Sequence, residues 1–147
     1  MVQAAARHGI TIPTLCYHPD LSPVGSCRLC VVEVARHDGL VPACMTHCQE
    51  GQVVSTESAR AIEARKLVLE LLLQDYCEDP EEKTPGRKNE LLHWAEHYGA
   101  GRPDDFPAAP QYSQDSDLHP FIRVNLNQCI LCTRCIRACA EVQGRFI

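Results

Sequence analysis

Cys16, Cys27, Cys30 and Cys44 are separated by ten, two and thirteen residues, and the turn Ser22-Pro23-Val24-Gly25-Ser26 leads into the close pair. Thiolates are soft ligands suited to iron. A 2Fe-2S cluster needs four of them, on a loop that folds back so that backbone N–H groups point at the inorganic sulfides. Gly25 and Ser26 let the backbone come close. Plant-type ferredoxins have a first gap of about four residues, so this spacing is a variant. Cys27 and Cys30 with Cys44 and Cys48 also have the spacing of a tetrahedral zinc site, in which Cys16 would have no role.

A second set, Cys129, Cys132, Cys135 and Cys139, has gaps of two, two and three residues. Three thiols at that spacing wrap one corner of a cubane, and the fourth is displaced along the chain, as in ferredoxin-type 4Fe-4S binding. Ala140 stands where the bacterial pattern has proline. In two-cluster ferredoxins the displaced cysteine serves the other cluster; if Cys139 does so, Cys129, Cys132 and Cys135 need a further ligand. Cys48 and Cys77 are left over and read as small apolar residues. His93 and His97, one helical turn apart, read as a solvated face. Arg134 and Arg137 read either as surface arginines or as charges near the second cluster.

Ten cysteines and 5% aromatic residues in 147 positions point to small modules stapled by metal or disulfide. Met1 to His8 has no signal-peptide pattern. The longest apolar run, Leu67 to Leu73, is broken by Glu70 and far short of the ~20 residues of a membrane span. A cytoplasmic protein, at most peripheral to the inner membrane face within a complex, is the expectation, and there close cysteine pairs mean metal or redox chemistry. The formal net charge of -5, without a polybasic block, gives nucleic-acid binding no support.

The elements that must position these thiols follow from pattern. Val2 to His8 reads as a helix stopped by Gly9. Cys30 to Ala35 and Leu40-Val41 read as a hairpin around His37-Asp38-Gly39, with Gln52 to Ser55 a further strand. Thr56 or Ser58 caps a helix to about Tyr76, with Ile62, Leu69, Leu72, Leu73 and Tyr76 on its inner face and Glu63, Lys66 and Glu70 opposite. A charged loop from Glu78 to Arg87 precedes a helix from about Asn89 to Tyr98, stopped by Gly99. Four prolines mark residues 99–120 as a surface linker.

Three stretches carry a family resemblance. They are Ile10-Thr11-Ile12-Pro13-Thr14-Leu15-Cys16-Tyr17-His18, Gly25-Ser26-Cys27-Arg28-Leu29-Cys30-Val31-Val32-Glu33-Val34 and Cys129-Ile130-Leu131-Cys132-Thr133-Arg134-Cys135-Ile136-Arg137-Ala138-Cys139. Together they resemble the N-terminal iron–sulfur region shared by the complex I large iron–sulfur subunit, the iron-iron hydrogenases and the NAD-dependent formate dehydrogenase alpha subunit.

The resemblance implies an α+β chain in four parts. Residues 1–57 form a ferredoxin-like (β-grasp) 2Fe-2S domain, expected to lack its first strands. Residues 58–98 form a short helical middle module, 99–120 a linker, and 121–147 the start of a ferredoxin-type 4Fe-4S module. It also implies a middle 4Fe-4S site with ligands spaced His-x3-Cys-x2-Cys-x5-Cys, which here falls on Tyr76, Pro80, Lys83 and Asn89. None of these binds such a cluster in the usual way, so the middle module is expected to be empty.

The functional expectation is an electron-transfer segment with no catalytic residue of its own. It would serve a downstream catalytic domain or the subunits of a redox complex, a flavin- or NAD-binding subunit among them. The expected parents, in order, are formate dehydrogenase, complex I and hydrogenase. A non-redox zinc-binding or interaction module is the reading from another class.

Overall fold

The computed structural model describes residues 1–78, 89–105, 109–113 and 124–146. By their contacts the residues gather into two compact units, Met1–Val68 with Cys132–Ile147, and Leu69–Leu131.

In the first unit, helix α1 (Val2–Arg7) ends at His8, and Gly9 takes φ 72°, the left-handed conformation that glycine adopts without a Cβ penalty. Three antiparallel strands follow, β1 (Val31–Val34), β2 (Leu40–Pro42) and β3 (Val54–Ser55), in the order β2-β1-β3. Val32 pairs with Val41 and Val34 with Val54, so β-branched residues face each other on both sides of the central strand. The hairpin turns where the sequence places it: the His37 N–H donates to the Val34 carbonyl, and the Gly39 N–H donates to His37 Nδ1.

Ile12, Cys30, Val32, Val34 and Ala43 form one buried cluster, covered in part by Met1, Val2, Ala5, Val41, Cys44 and Val54. One ligand candidate is therefore part of the core itself. This is an α+β architecture.

Helix α2 (Ala59–Asp75) begins on Ser58, whose hydroxyl accepts from the Ala61 N–H. Its buried stripe is Ala61, Arg65, Leu69 and Leu73, at intervals of four. Ile62, expected on the inner face, is instead 37% exposed, because the stripe runs through Arg65. That arginine is fully buried. One guanidinium nitrogen donates to Glu57 Oε1 at 2.6 Å and another to the Val31 carbonyl at 2.8 Å. It ties α2 to the strand that leaves the Cys27–Cys30 loop.

In the second unit, helix α3 (Glu90–Tyr98) starts on Asn89, which accepts from the Leu92 N–H, and stops at Gly99 with φ 60°, as the sequence indicates. Arg102 donates to the carbonyls of Gln74 and Tyr76, capping the end of α2, where helical carbonyls lack partners. Asn127, 6% exposed, accepts the N–H groups of Gln111 and Tyr112 and donates to the Tyr112 carbonyl; its own carbonyl accepts the Cys77 N–H. The charged loop expected at Glu78 to Arg87 lies almost wholly outside the described residues, as does much of 99–120. The division of the sequence into four modules and this grouping by contact are separate descriptions of the chain.

Replacing Arg65 by alanine removes a buried charge-assisted hydrogen bond to the Val31 carbonyl and a part-buried ion pair with Glu57. The expected loss is about 3 kcal/mol. Glu57→Gln, at a side chain 49% exposed, costs under about 1 kcal/mol. Thermal unfolding of the two variants side by side measures the difference.

Candidate metal centre

The loop between α1 and β1 carries Cys16, Cys27 and Cys30, and the β1–β2 hairpin returns Cys44 beside them. Cys16 and Cys30 are each 1% exposed, flanked by Leu15 and Leu29 at 1% and 0%. The sulfurs are paired: Cys16 with Cys27, and Cys30 with Cys44, each pair in hydrogen-bond contact. Backbone N–H groups converge on them. Those of Ser26 and Cys27 and the Ser26 hydroxyl serve Cys16; that of Leu29 serves Cys27; that of Cys44 serves Cys30; that of Gly25 serves Cys44.

Burial sets the protonation of these thiols. It pushes Cys30 up to about 12 and also raises Cys27 and Cys44, with the neighbouring sulfurs adding to the effect. At Cys16 burial pushes in the same direction, but the donors from Cys27 and Ser26 outweigh it and hold the thiol below its ordinary value. A site of this kind keeps protons on most of its sulfurs until a cation takes their place, since a metal-bound thiol is deprotonated outright.

Local backbone shape serves the same end. Gly25 has φ 65°, and a Cβ built there would lie 2.8 Å from Met45 Cγ. Arg28, inside the Cys27–Cys30 loop, has φ 58°. A non-glycine residue in the left-handed region carries strain that the surrounding structure has to hold. Here it lies between Cys27 and Cys30, the close pair of the set. The later run repeats the device: Leu131 and Thr133, on either side of Cys132, have φ 53° and 60°.

The four sulfurs fit a 2Fe-2S group. Two pairs, each served by backbone donors, match two bridged irons with two protein ligands apiece. Among the described residues no three His, Cys, Asp or Glu side chains gather closely enough for a single ion. The zinc arrangement fits less well, because it assigns no role to the buried, hydrogen-bonded Cys16 and requires Cys48, which is exposed. All ten cysteines are free thiols.

The second set is placed differently. Cys132 precedes helix α4 (Arg134–Arg137), Cys135 lies within it, and Cys139 sits on the π-helical turn Ala138–Val142 that continues it, all in the first unit. Such turns recur at functional sites. Cys129 follows the 3-10 turn Leu126–Gln128 and belongs to the second unit. Cys129 and Cys135 are exposed, and Cys132 and Cys139 half-buried.

Sequence reasoning missed what Arg134 and Arg137 hold. Arg134 donates to the Tyr17 carbonyl at 2.8 Å; Arg137 donates to the carbonyls of Cys16 and Ser22. Nothing in their immediate sequence signals a partner so far away.

The 2Fe-2S iron-sulfur cluster binding domain family matches residues 1–59, which contain all four paired sulfurs. Over nearly its whole length the chain is similar to subunits of NADH oxidoreductases. Its relatives include the NADH-ubiquinone oxidoreductase 78 kDa subunit of Candida albicans, 34% identical over 98% of this chain and 20% of that protein. Another is an NADH-quinone oxidoreductase subunit of Rhizobium meliloti, 40% identical over 98% of this chain and 17% of that one. A solved structure, an NAD+-reducing NiFe hydrogenase in the H2-reduced state, superposes with a TM-score of 0.78 at 32% identity, over 97% of this chain and 59% of the hydrogenase chain. The chain spans about a fifth of the curated relatives it matches. Among its described residues no helix is long and apolar enough to cross a membrane.

Gly25→Ala places a side chain at positive φ and against Met45. We expect a loss of about 1–2 kcal/mol and weaker visible absorbance from the reconstituted cluster. Adding Met45→Ala relieves the contact but not the backbone strain, so the double variant recovers only part of the absorbance.

Proposed function

We propose that the chain is the electron-relay segment of a complex I- or hydrogenase-type oxidoreductase. In this reading Cys16, Cys27, Cys30 and Cys44 hold the 2Fe-2S group, and Cys129, Cys132, Cys135 and Cys139 serve a 4Fe-4S group. The observation that carries the reading is the two-by-two pairing of the four sulfurs, one of each pair buried, under backbone donors. When bound, such a group supplies a one-electron redox couple. The chain's part is to bury it, to aim N–H groups and the Ser26 hydroxyl at its sulfur ligands, and to exclude water with Leu15 and Leu29. Each of these is a lever on potential.

The relatives favour a NADH dehydrogenase or hydrogenase parent over the formate dehydrogenase that the sequence put first. The hydrogenase among them is of the NiFe type, where the sequence pointed to iron-iron. Partners are then the catalytic subunits of such a complex.

The middle module is proposed to carry no metal. Tyr76 and Asn89, two of its four ligand positions, are joined by a hydrogen bond in which Asn89 Nδ2 donates to the Tyr76 hydroxyl at 2.5 Å. That contact fills the place of two ligands with a direct side-chain link. Pro80 and Lys83 lie outside the described residues.

Anaerobic reconstitution with iron and sulfide, followed by metal analysis and EPR, tests these readings. The expected result is acid-labile sulfide with at most about six irons per chain. Cys30→Ser abolishes the 2Fe-2S signal and leaves the 4Fe-4S signal, and Cys135→Ser does the reverse. Zinc without sulfide would overturn the redox reading, and a second 4Fe-4S signal would overturn the empty middle module.

A further inference from the structure

Ser22, six residues after Cys16, is gripped at both ends of its backbone by the C-terminal helical segment. Its N–H donates to Glu141 Oε2 at 2.6 Å, and its carbonyl accepts from Arg137 at 2.5 Å. A second guanidinium nitrogen of Arg137 reaches the carbonyl of Cys16 itself, while its Nε donates to Thr133 Oγ1 at 3.1 Å. Arg134 adds a bond to the next carbonyl, that of Tyr17. Every donor and acceptor in this clasp lies in the first unit. Four handholds on one loop, made by side chains 115 to 121 residues away, are more than surface charges need.

We propose that Arg137 is a positioning residue for the 2Fe-2S centre: its guanidinium fixes the Cys16 loop and holds a positive charge against the backbone of the first sulfur ligand, with Glu141 as a weaker opposing charge. The idea rests on the assignment of Cys16 to that centre.

The physical consequence has a sign. Reduction adds one negative charge to the cluster. A cation bonded to the ligand's own carbonyl favours the reduced form and raises the midpoint potential; an anion on the Ser22 N–H, further along the loop, lowers it. Arg137 is half-buried and Glu141 exposed, so solvent screens the second more strongly. A merely structural clasp makes a different prediction, because loosening it from either side disturbs the loop in the same way.

The test is a potentiometric EPR titration of the reconstituted full chain and its variants, with cluster content measured in each. Arg137→Gln should lower the 2Fe-2S midpoint potential, Arg137→Lys should stay near the unsubstituted protein, and Glu141→Gln should shift it upward by less. The shifts should shrink as ionic strength rises. Equal potentials in all four proteins, or shifts of the same sign in Arg137→Gln and Glu141→Gln, would overturn the proposal. If Arg137→Gln fails to retain a cluster, the upward shift in Glu141→Gln and the near-neutral Arg137→Lys still decide it. Absence of any 2Fe-2S signal in the unsubstituted chain would instead bring down the cluster assignment together with this inference.

Discussion

Four convergent thiols, two of them almost wholly buried, are the constraint around which the first unit is built. Without a cation, such a site holds its charge down by keeping protons, and burial drives Cys30 to about 12. The surrounding structure meets the same cost in a second way, by turning backbone donors inward. A loop can aim that many N–H groups at one place only by leaving ordinary strand or helix geometry. The left-handed residues at Gly25 and Arg28 are where it does so. Strain in the loop and charge in the site are two sides of one arrangement, and the short sheet on β1 anchors both.

The second unit is held together in another manner. Arg102 closes the open end of α2, Asn127 joins three stretches of chain through its side-chain amide to Gln111 and Tyr112 and its backbone carbonyl to the Cys77 N–H, and Tyr76 meets Asn89 directly. These are hydrogen bonds among partly buried neutral groups and one guanidinium, each worth about 1 kcal/mol net. They are modest singly, and they depend on being satisfied together. Polar side chains thus close this unit where the first unit gathers thiols.

Spacing made the first cysteine set legible, because two close thiols on a small-residue turn have few other uses. Asn89 and Gly99 likewise bounded α3 by cap chemistry alone. What the sequence concealed lay in residues acting against type. Arg65 sits in an apolar stripe, and a pattern that sorts residues by hydropathy places Ile62 inward in its stead. Arg137 and Glu141 look like solvent-facing charges on a short helix. Their partners are carbonyl and N–H groups, which every residue has and which therefore leave no mark on the sequence. The later cysteines were easy to recognise as a set, yet no local pattern indicates that the segment bearing three of them rests on the loop of Cys16.

The bond from Arg65 to the Val31 carbonyl spans 34 residues, and the one from Arg137 to Cys16 spans 121. A chain that grows from its N-terminus has made all four paired cysteines before residue 65 exists. Contacts of such separation close late, since each requires the intervening chain to be made and gathered first. The sulfurs therefore spend the early life of the molecule uncovered, when oxidation to sulfenic acid or a chance disulfide competes with cluster insertion. The long-range handholds on this loop thus come after the thiols beside them, and the site is more open before they close.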